Sequence, residues 1–229
     1  MGQALVLLSG GLDSSTVAAM AVKEFGPENV IALTLYYGQK HQIEIQAAKA
    51  VANYLRIKEH LIRPLPKDIF QGFGSALVDQ SIKVPRATYQ ELIPGSGPLV
   101  TYVPFRNGIF LSIATAIALT KSCKYVYYGA HAEDAQDFAY PDCTSEFNGA
   151  MANAIYIGTY CTVRLVVPLQ WVMKVDIVRL AIKLKVPIHL TYSCYSGTQP
   201  SCGRCPTCLS RRSAFGEAGV YDLIPYADD

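Results

Sequence analysis

LVLLSGGLDSST, at residues 5–16, is the stretch that decides the fold. Four apolar residues come directly before Ser-Gly-Gly, and Leu-Asp with three hydroxyl residues comes after it. A short apolar run bounded by Ser-Gly-Gly is typical of a buried parallel strand, predicted here over Ala4–Leu8. Apolar residues at helical spacing follow from Ser14 to Phe25, and Gly26-Pro27 ends that pattern. The sequence therefore predicts a strand, a tight turn and a helix in succession.

The turn between the predicted strand and helix has the chemistry of an anion site. Glycine lets the main chain approach an anion closely, hydroxyl groups donate hydrogen bonds, and a helix N-terminus favours negative charge. Neither the common P-loop, G-x-x-x-x-G-K-[ST], nor the dinucleotide pattern G-x-G-x-x-G is present. A plain Gly-Gly turn with Ser14 or Ser15 as helix cap is the alternative. The carboxylate of Asp13 fits a phosphate site if Mg²⁺ bridges the two, so the turn predicts Mg²⁺ and a bound phosphate group.

Strand and helix patterns alternate along most of the chain. Further strands are predicted at 29–36, 60–63 and 125–130, and further helices at 42–55, 107–121 and 173–184. This alternation predicts an α/β fold with a doubly wound, mainly parallel sheet, whose ligands lie beyond the carboxyl ends of the strands. Residues 64–98 are rich in Pro and Gly and predict an irregular, functional loop. We expect residues 1–190 to form this domain and residues 191–229 to form a small segment packed on it.

The composition excludes several classes of protein. The 229 residues are 51% hydrophobic and 17% charged, which suits one sizeable core. The formal net charge is +2 and the basic residues are scattered, so no stable nucleic-acid partner is expected. No cationic leader precedes the first apolar run, and the apolar segment 108–119 is too short to cross a bilayer. We therefore expect a soluble, cytoplasmic chain without a membrane partner.

Four of the seven cysteines crowd into fifteen residues, in the pattern C-x7-C-x2-C-x2-C. Four thiolates at this compact spacing suit one tetrahedral, structural Zn²⁺ ion, which leaves no coordination position open for catalysis. A redox C-x-x-C pair and an iron–sulfur cluster are the alternatives. Cys143 could act as a nucleophile, but it stays outside the predicted catalytic set. The predicted zinc ligands are Cys194, Cys202, Cys205 and Cys208.

The stretch SGGLDSS, residues 9–15, resembles the signature of the PP-loop ATP pyrophosphatase family. The resemblance implies a doubly wound five-stranded parallel sheet and a loop that holds the β- and γ-phosphates of ATP. It also implies activation of a carboxyl or carbonyl oxygen by adenylation. The residues that it implies in ATP binding are Leu8, Ser9, Gly10, Gly11, Leu12, Asp13, Ser14, Ser15, Thr16, Val17 and Ala18.

Four further stretches resemble the 7-cyano-7-deazaguanine synthase family: YYGQKHQIE (36–44), PFRNGIFLS (104–112), AYPDC (139–143) and SCYSGTQPSCGRCPTCLSRRSAF (193–215). With the glycine turn, the resemblance spans nearly the full chain. It implies ATP-dependent conversion of 7-carboxy-7-deazaguanine and ammonia to 7-cyano-7-deazaguanine, a precursor of queuosine and archaeosine in tRNA. The family often has Gly before YPDC, whereas this chain has Ala139. This difference concerns the backbone turn at that position and not the side chains of the motif.

Conversion of a carboxylate to a nitrile at one site indicates what the remaining residues must do. Adenylation supplies a leaving group, ammonia then gives an amide, and a second activation removes the amide oxygen. The triphosphate charge needs cations, and Asp13 with Mg²⁺, Arg106 and Lys174 form the predicted catalytic set. Arg106 precedes one predicted helix and Lys174 begins another. The alternative for either basic residue is an exposed ion pair.

A purine-like base needs hydrogen bonds to its edge and a stacking face. The stretch Gly129–Cys143 follows a predicted strand, and carboxylates there could accept from the exocyclic amine and ring N–H of a deazaguanine. A solvated acidic loop is the alternative for Glu133 and Asp137, and the histidines could equally be structural hydrogen-bonding groups or proton carriers. The predicted substrate-binding residues are Tyr37, Gln39, His41, Asn107, His131, Asp134, Tyr140 and Asp142.

Other functions stay open at this point. A PP-loop tRNA thiolase or sulfurtransferase would share the ATP loop but usually needs a tRNA-binding surface, which the balanced charge disfavours. Relatives that attach the deazaguanine to a different acceptor are a second alternative. A zinc-bearing interaction module that binds ATP without turnover is a third. The oligomeric state is open, a homodimer included.

Overall fold

Five parallel strands form one twisted sheet in the computed structural model, which describes residues 3–39, 43–66, 68–92 and 97–227. The sheet order is β3-β2-β1-β4-β5, and each neighbouring pair runs parallel. The order reverses at β1, so a crevice opens beyond the carboxyl ends of β1 and β4. The predicted α/β fold is confirmed. The strands are β1 (Gln3–Leu7), β2 (Val30–Tyr36), β3 (Glu59–Pro64), β4 (Cys123–Tyr127) and β5 (Arg164–Val166).

Helices cover both faces of the sheet because side chains alternate along each buried strand. In β1, Ala4 and Val6 face one core cluster, and Leu5 and Leu7 face the other. In the described part of the chain, no helix has the length and apolar character needed to cross a bilayer. The helices are α1 (Leu12–Phe25), α2 (Ile43–Tyr54), α3 (Tyr89–Leu92), α4 (Arg106–Thr120), α5 (Ala132–Ala135), α6 (Ser145–Gly158), α7 (Lys174–Lys183) and α8 (Pro206–Glu217).

The first strand–turn–helix unit matches its prediction closely. Helix α1 begins two residues earlier than predicted, at Leu12, with Gly11 as its N-cap. It ends where Gly26 takes a φ of 82°, in the left-handed region that favours glycine. Among the described residues, the prediction missed β5, α3, α5, α6 and α8. Strand β5 has three residues and α3 and α5 have four each, whereas α8 begins inside the cysteine pattern, which was interpreted as a metal site.

The C-terminal segment packs directly on the sheet domain. The Tyr192 N–H donates to the Gly10 carbonyl at 2.9 Å. Ala214 and Phe215 of α8 lie in the same core cluster as α1 and α7. The C-terminal segment therefore contacts and supports the turn after β1. The domain boundary at residue 190 stays a prediction.

Candidate active site

A cavity of about 260 Å³ lies beyond the carboxyl ends of β1, β2 and β4. Its walls come from the β1–α1 turn, the residues after β2, the start of α4, the β4–α5 connection and the C-terminal segment. Thirteen of the predicted site residues meet there although they are far apart in the chain. They are Leu8, Ser9, Gly11, Asp13, Ser14, Tyr37, Gln39, Arg106, Asn107, His131, Asp134, Tyr140 and Lys174.

The other predicted residues lie elsewhere. Asp142 is buried behind the wall of the cavity rather than in its lining. His41 lies outside the described residues. The remaining six belong to the ATP loop and the start of α1 but do not line the cavity, so their part in nucleotide binding stays a prediction: Gly10, Leu12, Ser15, Thr16, Val17 and Ala18.

The turn after β1 is held in shape by its own polar groups. Ser9 donates its N–H to Ser14 Oγ at 3.2 Å, and the two hydroxyl oxygens lie 3.0 Å apart. Gly10 has a φ of 88°, and a Cβ there would lie 2.6 Å from the Ala48 nitrogen and from the Glu44 carbonyl oxygen. The turn therefore requires glycine at this position.

Asp13 and Lys174 form a close ion pair across the cavity. The Lys174 ammonium donates to both carboxylate oxygens, at 2.7 and 2.6 Å, from the first residue of α7. Glu133 accepts the Lys174 N–H at 2.7 Å and so holds the start of that helix. Burial by itself raises the pKa of Asp13, but the charges of Lys174 and His131 outweigh it and the pKa lies below its usual value. Asp13 is therefore a carboxylate in this site.

His131 is buried beside two of these acidic groups. Its Nε2 lies 3.4 Å from Asp134 Oδ2 and 4.0 Å from Asp13 Oδ2. Its Nδ1 has no hydrogen-bond partner among the described residues. The contacts on Nε2 orient the ring and place it between the carboxylates of Asp134 in α5 and Asp13 in the first turn of α1.

At the other end of the cavity, Arg106 faces neutral groups. Its Nη1 donates to the Tyr37 hydroxyl at 3.0 Å, and the guanidinium carbon lies 5.8 Å from the centre of the Tyr37 ring. Gln39 accepts the Tyr37 N–H at 3.0 Å, which fixes the turn after β2. Among the described residues, no acidic oxygen lies within 4.0 Å of Arg106. Arg106 is therefore available to an anionic ligand.

Tyrosines form an aromatic wall near Arg106. The Tyr89 hydroxyl donates to the Tyr195 hydroxyl at 3.1 Å, and the Tyr89 and Tyr140 rings meet edge to face at 6.0 Å. The Tyr140 hydroxyl lies 2.7 Å from Thr101 Oγ1. Burial raises the pKa of each of these three tyrosines, so their hydroxyl groups stay neutral. Such a wall offers flat apolar faces with polar edges.

Asp142 has a structural contact. Its Oδ2 accepts the Asn107 N–H at 2.9 Å in the first turn of α4, and the Asn107 side chain donates back to the Asp142 carbonyl at 3.2 Å. Burial raises the pKa of Asp142, although the Asn107 hydrogen bond and Arg106 oppose that change. The same Asn107 amide contacts Cys143 Sγ at 3.2 Å, and burial raises the pKa of that thiol well above its ordinary value. Cys143 is therefore a neutral thiol in the wall of the cavity.

The four predicted metal ligands come together in space. The sulfur atoms of Cys194, Cys202, Cys205 and Cys208 all lie within 4.8 Å of one another. Backbone N–H groups point at two of these sulfurs: Cys202 donates to Cys194 Sγ and Cys205 donates to Cys202 Sγ, each at 3.3 Å. Gly203, with a φ of 71°, supplies the tight turn between them. The cluster is therefore arranged to hold a metal ion.

Several cavity residues were not predicted from the sequence. Glu44 stands in the first turn of α2, inside the stretch YYGQKHQIE, and that motif could have indicated it. The others carry hydroxyl side chains, and four of them stand in the stretch 193–215 that also carries the resemblance. They are Tyr89, Tyr192, Ser193, Tyr195, Thr207 and Ser210.

The sequence of this chain matches a known protein family. Residues 3–219 match the family model described as Queuosine biosynthesis protein QueC. The chain belongs to the QueC family. It is 42% identical to the 7-cyano-7-deazaguanine synthase of Picrophilus torridus, over 100% of this chain and 93% of that relative. It is 44% identical to the 7-cyano-7-deazaguanine synthase of Gloeothece citriformis, over 96% of this chain and 94% of that relative.

Solved structures outside the QueC family share the fold. The NH3-dependent NAD synthetase from Campylobacter jejuni, in complex with nitrate, has a TM-score of 0.51 at 18% identity, over 83% of this chain and 69% of its own. The U34-tRNA thiolase NcsA from Methanococcus maripaludis, with its 4Fe-4S cluster, has a TM-score of 0.50 at 17% identity, over 98% of this chain and 77% of its own. At these identities the likeness concerns the fold alone.

Proposed function

We propose that this QueC-family chain converts 7-carboxy-7-deazaguanine and ammonia to 7-cyano-7-deazaguanine at the expense of ATP. The observation that carries the proposal is the single cavity in which the glycine turn and the Asp13–Lys174 pair lie at one end and Arg106 with the tyrosine wall at the other. One end suits a triphosphate, and the other suits an anionic, flat, polar-edged base. A carboxylate oxygen of a base held between them would meet the α-phosphorus of ATP.

The proposed reaction takes place in two rounds. A carboxylate oxygen attacks the α-phosphorus, pyrophosphate leaves, and ammonia displaces AMP from the acyl carbon to give an amide and release a proton. The amide oxygen attacks a second ATP in the same way. Loss of the two N–H protons and of the second AMP then leaves the nitrile. Both rounds activate an oxygen on the same carbon, so one site serves both.

The phosphate end supplies charge and donors. In the proposal, backbone and hydroxyl groups of Leu8 to Ala18 surround the β- and γ-phosphates, and Lys174 neutralises charge that develops on the triphosphate. Asp13 is an ionised carboxylate that lines the cavity, which fits a ligand of Mg²⁺ shared with phosphate oxygens. Bound there, Mg²⁺ would offset triphosphate charge.

At the base end, we assign recognition to groups that line the cavity. Asp134 would accept from the exocyclic amine and ring N–H, with His131 holding its orientation. The proposed set is completed by Tyr37, Gln39, Tyr140 and His41, the last of which lies outside the described residues. Asn107 and Asp142 would act by fixing the start of α4, and thereby Arg106, rather than by touching the base.

The four cysteines fit one zinc ion. A tetrahedral Zn²⁺ with Zn–S bonds of about 2.3 Å places its sulfurs roughly 3.8 Å apart, which agrees with four sulfurs that all lie within 4.8 Å of one another. A four-iron cluster binds its cysteines on four separate irons and spreads them wider. Zinc there would stabilise the segment that supports the β1–α1 turn. Metal analysis should give about one zinc per chain, and removal by a chelator should lower the thermal unfolding temperature.

The experiment that tests the function uses a labelled substrate. Purified protein is incubated with ATP, Mg²⁺, ammonium and 7-carboxy-7-deazaguanine that carries ¹⁸O in its carboxylate, and the products are followed by mass spectrometry. We expect the nitrile, with the label in AMP. Label in inorganic phosphate with ADP would replace adenylation by phosphorylation. D13N should lose the product, whereas D176N, at an exposed ion pair with Arg179, should retain it. ATP consumption without nitrile would favour a deazaguanine-transferring relative or a thiolase.

A further inference from the structure

None of the roles proposed above provides a proton acceptor for ammonium. Near neutral pH most ammonia is present as ammonium, whose nitrogen has no lone pair and cannot attack the activated carboxyl carbon. Efficient use of this ammonium therefore needs a group within hydrogen-bond reach of the nitrogen that takes a proton from it. Because the nitrogen attacks the substrate carboxyl carbon, that group has to lie beside whatever holds the carboxylate.

Three of the four carboxylates that line the cavity are already engaged. Asp13 binds the Lys174 ammonium through both oxygens, and Glu133 accepts the Lys174 N–H. Asp134 faces His131. A carboxylate that is held by a cation, or that caps a helix, is a poor proton acceptor because that contact favours its ionised form.

Glu44 is the fourth carboxylate of the cavity, and it differs from the others. Among the described residues, which do not include Lys40 to Gln42, no cation lies within 4.0 Å of it. Its hydrogen-bond partner is the neutral side chain of Gln39. Within the part of the chain that the structure describes, no ion pair lowers the proton affinity of this cavity carboxylate.

The position of Glu44 links the two ends of the cavity. It stands in the first turn of α2, whose backbone packs directly against Gly10 of the β1–α1 turn. Its carboxyl group also senses the charge of Arg106, the cation that is free to hold the substrate carboxylate. A group placed between the phosphate turn and Arg106 is beside the carbon that must be attacked.

The surroundings of Glu44 give it a suitable proton affinity. Burial raises its pKa to about 7, against the opposing effects of Arg106 in α4 and of Gln39, while Cys194 of the C-terminal segment adds to the rise. Tyr37 and Tyr192, which also feel its charge, have raised pKa values and are neutral. A carboxyl group in this environment can both accept a proton and release it again near neutral pH.

We propose that Glu44 is the general base that takes a proton from ammonium before the nitrogen attacks the activated carboxyl group held at Arg106. The proposal rests on the proposed function. The proton moves from ammonium to the Glu44 carboxylate, ammonia donates its lone pair to the acyl carbon, and AMP leaves with the electrons of the broken C–O bond. The second N–H proton passes to the leaving phosphate or to water, and Glu44 returns its proton to solvent before the next round.

The test replaces ammonium by a nucleophile that needs no base. Hydroxylamine is largely uncharged near neutral pH and traps an activated carboxylate as a hydroxamate. In E44Q, we expect amide formation from ammonium to fall by about 10²-fold or more, the usual range for a general base. Hydroxamate formation should remain within a few-fold of wild type. At fixed total ammonium, the residual E44Q rate should rise with pH in proportion to free ammonia.

Matched measurements separate a chemical role from a structural one. E59Q changes a glutamate in an exposed ion pair with Lys121, away from the cavity, and should behave as wild type. Metal content and thermal unfolding of E44Q are measured alongside. Equal loss with both nucleophiles in a folded, metal-loaded E44Q would make Glu44 a positioning residue, and unchanged amide formation would exclude it. Failure of the wild type with both nucleophiles would instead overturn the proposed function.

Discussion

The two ends of the cavity are built in different ways. The glycine turn of the phosphate end is one continuous stretch, in which Ser9 and Ser14 bond to each other between β1 and α1. The opposite end is assembled from distant segments that contribute Tyr37, Tyr89, Arg106 and Tyr195. A continuous stretch can be recognised from its letters, whereas an assembled wall exists only after the sheet has formed.

The phosphate end is nevertheless less self-contained than its sequence suggests. Arg211, fully buried in α8, donates to both oxygens of Asp222 at 2.6 and 2.9 Å and to Thr191 Oγ1 at 2.8 Å. The next residue, Tyr192, holds the Gly10 carbonyl. The C-terminal segment therefore reaches the turn through a buried charged network.

The largest expected effect tests that network. R211A leaves the Asp222 carboxylate buried without its cation, which should lower the free energy of unfolding by about 3–5 kcal/mol. Chemical denaturation of the metal-loaded protein measures this. R179A, which breaks an exposed pair with Asp176, should change it by no more than about 1 kcal/mol. If R211A changes the free energy of unfolding as little as R179A does, the buried Arg211 network does not stabilise the turn after β1.

The next effect should appear in catalysis at the phosphate end. K174M removes the cation from Asp13 and from the proposed triphosphate, so the turnover rate should fall by about 10²–10³-fold, the usual result of losing one stabilising charge or donor. K183M, in the exposed last turn of the same helix, serves as control. Steady-state kinetics with saturating ATP measure the loss. A change confined to KM for ATP would restrict Lys174 to ground-state binding.

Gly10 offers a smaller and purely conformational test of the same end. In G10A, a Cβ would meet backbone atoms 2.6 Å away and the residue would hold a left-handed φ of 88°, so we expect a loss of about 1–3 kcal/mol in stability. G149A lies in α6 with open space around the added carbon and should raise stability by up to about 1 kcal/mol. Thermal unfolding of both variants gives the comparison. Equal unfolding temperatures for G10A and wild type would show that the turn adapts.

The contrast also explains what the sequence could and could not predict. Local patterns carried β1, α1 and the Cys202–Cys208 turn, because a strand, a glycine turn and ligand spacing are each set by neighbouring residues. The motif at 104–112 added Arg106, and the need for a cation beside the triphosphate added Lys174 at the start of a predicted helix; the fold brings both into one cavity. Glu44 and Tyr195 were missed although both stand in stretches that carry the resemblance, because each enters the cavity through packing between elements.

Asp142 is a residue that the sequence assigned to the site but that the structure places outside the cavity lining. Its acidity and its place in AYPDC favoured a contact with the base, but the residue is buried behind the lining and bonds to Asn107. The sequence does not distinguish an aspartate that binds a ligand from an aspartate that caps a helix. Their hydrogen-bond partners, which depend on how α4 packs, distinguish them.

The smallest predicted effect decides between these two roles. D142N keeps an oxygen that can accept the Asn107 N–H, so its stability should stay within about 1 kcal/mol of wild type, whereas D142A loses the contact and should cost about 1–2 kcal/mol more. Burial raises the pKa of Asp142 in the folded state above its ordinary value of 3.8, so its carboxyl group stabilises the fold most when it is protonated. As the pH falls from 7 through that pKa towards 3.8, the free energy of unfolding of the wild type should therefore rise relative to that of D142N. Denaturation at several pH values measures the shift. If D142N has the stability of the wild type but loses affinity for the deazaguanine, Asp142 contacts the base. The binding site would then reach beyond the residues that line the cavity in this structure.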